Sequence, residues 1–430
     1  MTIRTHRPPE PDLSDFAFWS RPPADRERGF AALRALESPA FFPELKLPFI
    51  RSGAGYYALV RHADVVEASR TPEVFSSEPS ATTIADLPGY LARYFGSMIN
   101  MDDPRHAKIR RVVSRAFTPR VLAKLESDLQ ATATRIVDDL LARRRRGGDF
   151  VTDVAARLPL QVICDMMGIP ERARPMVYQN SNIILGLGDP EYTGGRPLVH
   201  ERITRSAVLY GITKVMGAGY ELNHLAMKLA RRRRREPGDD LVSALVTANV
   251  DGESLTDQEI GSFFILLVVA GNETTRNAMS HGLKLLTDNP RQRELLLEDF
   301  DGRIGGAVEE IVRMATPVIQ FRRTVTREHE MNGHLYRPGD KVLLFYNSAN
   351  RDETVFEDPG AFDITRDPNP HVGFGGPGPH FCLGANLARR EITVMFRELF
   401  TRVPEIRSVG EPDRLFSNFI NGIKHMRFTY

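Results

Sequence analysis

The sequence predicts a mainly α-helical protein with a small β portion, built as one large domain. Three observations carry this expectation. Helix-type patterning dominates from Arg105 to the end of the 280s. Strand-type runs are short and confined to residues 55–60, Thr324–Glu330 and Lys341–Tyr346. No internal repeat and no linker of domain-boundary composition interrupts the 430 residues, although length alone would allow two or three domains at about 150 residues each.

Taken in order, residues 1–25 carry five prolines and no periodicity, and read as an extended N-terminal arm ahead of a domain over 26–430. Gly55-Tyr-Tyr-Ala-Leu-Val60 reads as a strand and His62–Ser69 as a short helix. The longest helix runs from about Leu255 to Thr287, opened by a Thr256/Glu259 capping box. About 32 residues at 1.5 Å rise give near 48 Å, enough to cross the molecule. Pro338-Gly339 marks a turn between the last two strand runs, residues 352–381 are irregular, and a helix follows from about Gly384 to Thr401. Two arginine runs, Arg143–Arg146 and Arg231–Arg235, fit exposed helix ends, where cations complement the dipole; the competing reading is a nucleic-acid or lipid-surface patch.

Composition excludes several classes. Lys+Arg is 57 against Asp+Glu 55, a net charge of +2, with 42% hydrophobic and 26% charged residues. Such a balance gives no global field to hold a nucleic acid. Two cysteines, Cys164 and Cys382, exclude a disulfide framework, a zinc ribbon and a four-thiolate cluster. The N-terminus lacks a signal-peptide core, and the longest apolar run, Phe263–Ala270, is far short of the roughly 20 residues that span a bilayer. The expectation is a soluble, cytoplasmic protein without a transmembrane anchor.

Four segments carry chemistry. The middle of the long helix reads Ala270-Gly-Asn-Glu273-Thr274-Thr275, a poor choice for a buried helix centre. Thr274 bonded back to the Ala270 carbonyl would loosen the ladder and open a notch lined by a hydroxyl and a carboxylate; a small-residue helix crossing is the plain alternative. Glu310 and Arg313 share a helix face at i, i+3, a spacing most often seen in surface ion pairs. His106 and Arg110, at i, i+4 after Asp103-Pro104, present two donors on one side. Gly373-x-Gly375-x-x-Gly378 formally matches a dinucleotide fingerprint, but no strand precedes it. Cys382 instead stands in a glycine-rich loop just before a helix, where amides favour a thiolate. Nucleophile, metal ligand and inert core residue remain open for it on these grounds.

Phe374, Gly376, Gly378, His380, Cys382 and Gly384 resemble the cysteine-ligand loop of the cytochrome P-450 haem-thiolate monooxygenases. The other segments resemble family motifs in the family's order. Ala270-Gly271-x-Glu273-Thr274 is similar to its oxygen-activating helix. Glu310-x-x-Arg313 is similar to its proximal ion pair, and His106-x-x-x-Arg110 to its propionate-binding helix. Arg323 stands where the family places another propionate arginine, with Arg322 as the competing choice. The family's aromatic lies seven residues before the cysteine; here Gly375 holds that place and Phe374 is eight before, so the loop is one residue longer. Residues 263–277, 94–99 and 373–392 resemble the actinobacterial methyl-branched lipid omega-hydroxylases and related lipid and sterol oxidisers.

The resemblance implies a single-domain cytochrome P-450 fold, haem b (iron protoporphyrin IX) ligated by Cys382, and O2-dependent hydroxylation. Thiolate ligation pushes electron density toward O–O cleavage. Glu273 and Thr274 would be catalytic, managing protons, and retention of this pair argues against a peroxygenase. His106, Arg110, Arg323 and His380 would hold the cofactor. Leu266, Val269 and Ala270 share a face with Thr274, and by resemblance Tyr94, Phe95, Met98, Ile99, Val318, Ile319 and Phe419 complete an uncharged distal pocket. Phe419 and Ile319 are the expected constriction. An uncharged wall fits a branched fatty acid, isoprenoid or similar chain, held at about 25 cal/mol per Å² of apolar surface and oxidised at or near a terminal carbon. Electrons would come from a ferredoxin or flavodoxin with its reductase, received near Arg110, Arg111 and Arg115. The alternatives are a steroid side-chain hydroxylase, a haem-thiolate binding or sensor protein without turnover, and a haem-free Cys382–His380 hydrolase.

Overall fold

The computed structural model describes residues 11–46, 48–49, 52–86, 91, 94–95, 97–114, 117–118, 123, 125–194, 204–250 and 253–430. Helices α1 (Phe16–Trp19) and α2 (Pro23–Arg34) lead into β1 (Ala40–Phe42), β2 (Tyr56–Leu59), α3 (His62–Arg70) and β3 (Phe75–Ser76). A helical stretch follows: α4 (Arg105–Ser114), α5 (Glu126–Leu141), α6 (Arg157–Met166), α7 (Arg174–Leu185), α8 (Pro190–Thr193), α9 (Arg205–Arg235), α10 (Leu241–Val246), α11 (Asp257–Asp288), α12 (Pro290–Glu298) and α13 (Phe300–Ala315). Then come β4 (Gln320–Val325), β5 (Lys341–Phe345), α14 (Tyr346–Ala349) and α15 (Ala385–Arg402).

The long central helix α11 starts where its cap demands. Thr256 Oγ1 accepts from the Glu259 N–H at 3.2 Å, and Glu259 Oε2 accepts from the Thr256 N–H at 2.8 Å. Its apolar run places it inside the main helical core, against α6, α7 and α9 and also against α13 and α15. Helix α9 ends at Arg235, so Arg232–Arg235 occupy its last turn just after Arg231, with Arg234 paired to Asp257 at 2.5 Å.

The five strands form one sheet in the order β1-β2-β5-β4-β3, parallel only between β2 and β5. Strand β5 is buried along its length: Val342 and Leu344 enter one apolar cluster, Leu343 and Phe345 another. This alternation is the period of a strand covered on both faces. Strand β4 begins at Gln320 and ends at Val325, earlier than the expected Thr324–Glu330, and pairs Thr324 with Lys341. Arg322 and Arg323 obscure its pattern in sequence because their buried positions follow from tertiary packing. Residues 329–331 and 334–336 form a separate hairpin.

Within residues 11–25 the expected extended arm is corrected. Asp15 caps α1 by accepting from the Ala17 N–H at 2.9 Å. Leu13, Phe18 and Trp19 are buried, with Trp19 stacked on Phe345 at 6.2 Å. Burying three large side chains contributes about 1.5–3 kcal/mol each, enough to offset ordering of a short segment despite its prolines.

Candidate active site

Cys382 sits in the loop between α14 and α15. Its N–H donates to the Phe374 carbonyl at 2.9 Å, and its own carbonyl accepts from Ala385 at 3.4 Å. Within the loop Gly375 has a φ of +89°, which favours glycine. At Gly378 a Cβ would collide with the Ser69 carbonyl of α3, so the loop lies directly on that helix. Phe374 packs beneath the Arg389 guanidinium at 4.4 Å. Arg389 is held by Glu309 at 2.6 and 2.9 Å, and Glu309 also meets His371 at 3.0 Å. Burial alone would raise the Glu309 carboxyl, but Arg389 and His371 hold it down to about 2. This bracing was not foreseen; the Arg389 position in the first turns after Cys382 is the signal available in sequence.

Cys382 is exposed, unlike Cys164, whose thiol burial pushes up to about 12. Surrounding protein also raises Cys382, while the Gly384 backbone, Arg110 and Arg389 pull it down. A bound metal ion removes such a proton outright.

Glu310 and Arg313 form a wholly buried pair rather than a surface one. Two parallel bonds join them, Nε to Oε2 at 2.8 Å and Nη2 to Oε1 at 2.7 Å. Arg313 also donates to the carbonyls of Asn350, Pro359 and Ala361. Glu310 accepts from the Asp363 N–H and from Asn369, each at 3.0 Å. The pair thereby ties the irregular 350–369 segment, which leads to the Cys382 loop, onto α13.

His106, Arg110, Arg323 and His380 come together. The two imidazoles lie 4.2 Å apart. His380 Nε2 meets Ser77 Oγ at 2.9 Å, and burial, with Arg323, His106 and Arg110 nearby, pushes its pKa down to about 2. Burial also lowers His106. His106 Nε2 is buried without a hydrogen-bond partner. Arg110 bonds the Phe381 carbonyl at 2.6 Å and Arg323 the Arg322 carbonyl at 2.8 Å; neither forms an ion pair with a carboxylate among the described residues. Arg322, by contrast, is met by Asp86 at 2.8 Å and the Ile84 carbonyl at 3.0 Å. Two guanidiniums without counter-charges and an orphaned imidazole nitrogen fit a ligand that brings carboxylates, as haem does with its propionates.

Along α11, from Ile260 to Leu283, Ala270 is the one exposed residue, and Leu266, Gly271 and Thr274 are half-buried around it. They form an open strip at i, i+4 and i+8 in an otherwise buried helix. Thr274 Oγ1 donates to the Ala270 carbonyl at 2.8 Å. Val269, expected on this strip, is buried in the helical core. Glu273 is also turned away: it is 1% exposed, pairs with Arg276 from the next turn, and does not share the notch with Thr274. Consecutive helix residues point about 100° apart, so hydroxyl and carboxylate occupy different faces.

The remaining pocket expectations divide. Tyr94 and Phe95 pack against α9, where a Cβ on Gly219 would come within 3.0 and 3.1 Å of their rings. Ile99 and Val318 are half-buried, and Val318 bridges Ile420. Phe419 is half-buried edge-on to Phe321 at 5.6 Å. Met98 lines a small hollow with Met101, Ile109, Leu255 and Phe263 at the first turns of α11. Ile319 is corrected. It is 1% exposed and belongs to the N-terminal cluster of Trp19 and Phe345, because it alternates with Val318 and faces the opposite way. A separate open cleft of about 560 Å³ is lined by His106, Arg110, Arg111 and Pro379; Arg115 lies outside the described residues.

Comparison with known proteins bears on all of this. Residues 213–403 match the family model for cytochrome P-450. A Mycobacterium tuberculosis methyl-branched lipid omega-hydroxylase is 47% identical over 98% of this chain and 96% of its own length. A Mycolicibacterium smegmatis steroid C26-monooxygenase is 40% identical over 87% of this chain and 84% of its own. A solved Mycobacterium marinum cytochrome P-450 in complex with pseudoionone is 42% identical, with a TM-score of 0.92, covering 99% of this chain and 100% of that one. Likeness this close over nearly the whole length means that the chain belongs to the cytochrome P-450 family and carries its haem cofactor.

Proposed function

We propose that this protein is an O2-dependent monooxygenase that hydroxylates an apolar, branched lipid chain at or near a terminal carbon. The observation that carries the reading is the Leu266–Ala270–Thr274 strip, an uncharged opening with one hydroxyl in the middle of a buried helix. The cofactor is haem b, with Cys382 as iron ligand and His106, Arg110, Arg323 and His380 receiving its propionates. When bound, it supplies O2 activation by two electrons and insertion of one oxygen atom into a C–H bond.

This chain's residues supply the rest. Leu266 and Ala270 exclude water and bind apolar surface. The Thr274 hydroxyl holds a proton beside the Ala270 carbonyl, and Glu273 replenishes it. Terminal carbons carry stronger C–H bonds than their neighbours, so terminal selectivity comes from holding the chain end-on. Phe419 is the constriction we assign to that task. The names of the two relatives, an omega-hydroxylase of methyl-branched lipids and a steroid C26-monooxygenase, support the substrate class. Electrons arrive from a separate ferredoxin or flavodoxin with its reductase, received at exposed Arg111 beside the Arg110 cleft. No described helix is long and apolar enough to cross a membrane, and we place the reaction in the cytoplasm with its donors.

The test has two steps. Cys382→Ala should lose the thiolate-type spectrum of the reduced carbon monoxide complex, and Cys164→Ala should keep it. Branched fatty acids and isoprenoids should then shift the haem spectrum of the wild type. The reading fails if Cys382→Ala retains the spectrum, or if small polar aromatics shift it and no lipid or steroid does.

A further inference from the structure

A group of buried polar side chains surrounds Glu273 on the face of α11 turned toward α7. Glu273 and Arg276, at i, i+3, form an ion pair in which each side chain is 1% exposed. Arg276 is itself fixed from α7: Nη1 donates to Asn182 Oδ1 at 2.8 Å, and its guanidinium lies 5.7 Å from the Tyr178 ring centre, with the Tyr178 hydroxyl at 3.5 Å. The titratable and charged groups facing Glu273 are Arg276 on its own helix and Tyr192 on α8, while Tyr178 on α7 faces Arg276. Both amide atoms of Asn272 and the Arg276 Nε are buried here without a hydrogen-bond partner, and the Asn277 side chain lies beside the Glu273 carboxylate. Buried polar atoms of this kind are satisfied by internal water. A cluster of them along one and a half turns outlines a polar path beside the acid.

We propose that Arg276 is a positioning residue for the reaction: anchored by Asn182 and Tyr178, it holds the Glu273 carboxylate on the polar α7 side, away from the apolar strip, and sets the proton affinity of that acid. The proposal rests on the reading of Glu273 as the group that replenishes the Thr274 proton. An acid at this depth is otherwise strongly biased to its neutral form. Burial raises the carboxyl, and the positive charge of Arg276 opposes it. With Arg276 in place, the acid is oriented toward the α7 side, beside the polar atoms along which its proton is renewed.

The test is an infrared pH titration of the haem-loaded protein. It follows the protonated-carboxyl band that disappears in Glu273→Gln, together with the pH dependence of product formed per electron pair consumed. Arg276→Gln should move the band midpoint and the coupling profile upward together by about one pH unit or more, a tenfold change in protonation ratio. Arg276→Lys should return both toward the wild type. Asn182→Ala, which loosens the anchor without removing the charge, should shift both in the same direction by about a third of a unit, or twofold, and it serves if Arg276→Gln does not fold. A merely structural Arg276 lowers melting temperature and haem content but leaves midpoint and profile in place, and that result overturns the proposal. If Glu273→Gln leaves coupling unchanged at every pH, the relay reading itself fails. If it abolishes the pH dependence while neither Arg276→Gln nor Asn182→Ala moves it, only the positioning role fails.

Discussion

Replacing Glu310 by alanine strands a guanidinium in the interior. Both members of the Glu310–Arg313 pair are 0% exposed. The substitution removes two charge-assisted bonds at 2.7 and 2.8 Å, and with them the acceptors of the Asp363 N–H and the Asn369 amide. Arg313 keeps the Asn350, Pro359 and Ala361 carbonyls, so it stays in place, uncompensated. Breaking a buried pair from one side costs about 3–5 kcal/mol, a large part of the roughly 5–15 kcal/mol by which domains are stable. For a chain of this size, unfolding with about 2.1 cal/mol/K of entropy per residue, the melting temperature should fall by about 3–6 °C. The lost anchor belongs to the segment leading into the Cys382 loop, so haem retention and the thiolate-type carbon monoxide spectrum should fall with it. Glu310→Gln, which keeps an acceptor oxygen, should lose less. The assay is thermal unfolding of the haem-loaded protein beside its haem-to-protein ratio. A Glu310→Ala protein melting within about 2 °C of wild type, as an ordinary surface change would, with full haem content, refutes the bracing argument.

Other outcomes are expected from the same geometry. Thr274→Ala should still bind haem and lipid but release more peroxide per product, measured as hydrogen peroxide against reductant consumed; unchanged coupling there removes the hydroxyl from the proton route. Phe419→Ala should widen the channel and move oxidation inward along a branched chain, read by product analysis. The Glu309 carboxyl is held at about 2 in the folded protein against 4.5 unperturbed. Its contribution to stability is therefore complete above the unfolded value and lost as pH falls from about 4.5 toward 2. Urea midpoints at about pH 5 and about pH 3 should converge more in Glu309→Gln than in wild type.

What the sequence determined by itself was everything written in contiguous residues. The capping box at Thr256, the long apolar run and the break at Ala270–Thr274 define α11 because helix signals act within a turn or two. The glycine-rich loop before α15 marks Cys382 for a similar reason: close approach and an unusual φ leave a local trace in residue type. Tertiary structure alone decided which way the side chains point and what meets them. The same i, i+3 spacing that suits a surface ion pair lies fully buried at Glu310–Arg313, since the partners that make burial tolerable come from residues 350–369. Arg322 and Arg323 are neighbours of identical chemistry, separated only when Asp86, far off in sequence, takes one of them. Ile319 is an apolar residue beside the expected pocket, yet it packs into another core. Glu273 finds its partner in Arg276, which Asn182 and Tyr178 of α7 meet from across the helix interface. Long-range packing chooses among directions that local residue pattern leaves equal in energy, and that choice separates a wall residue from a core residue at this site.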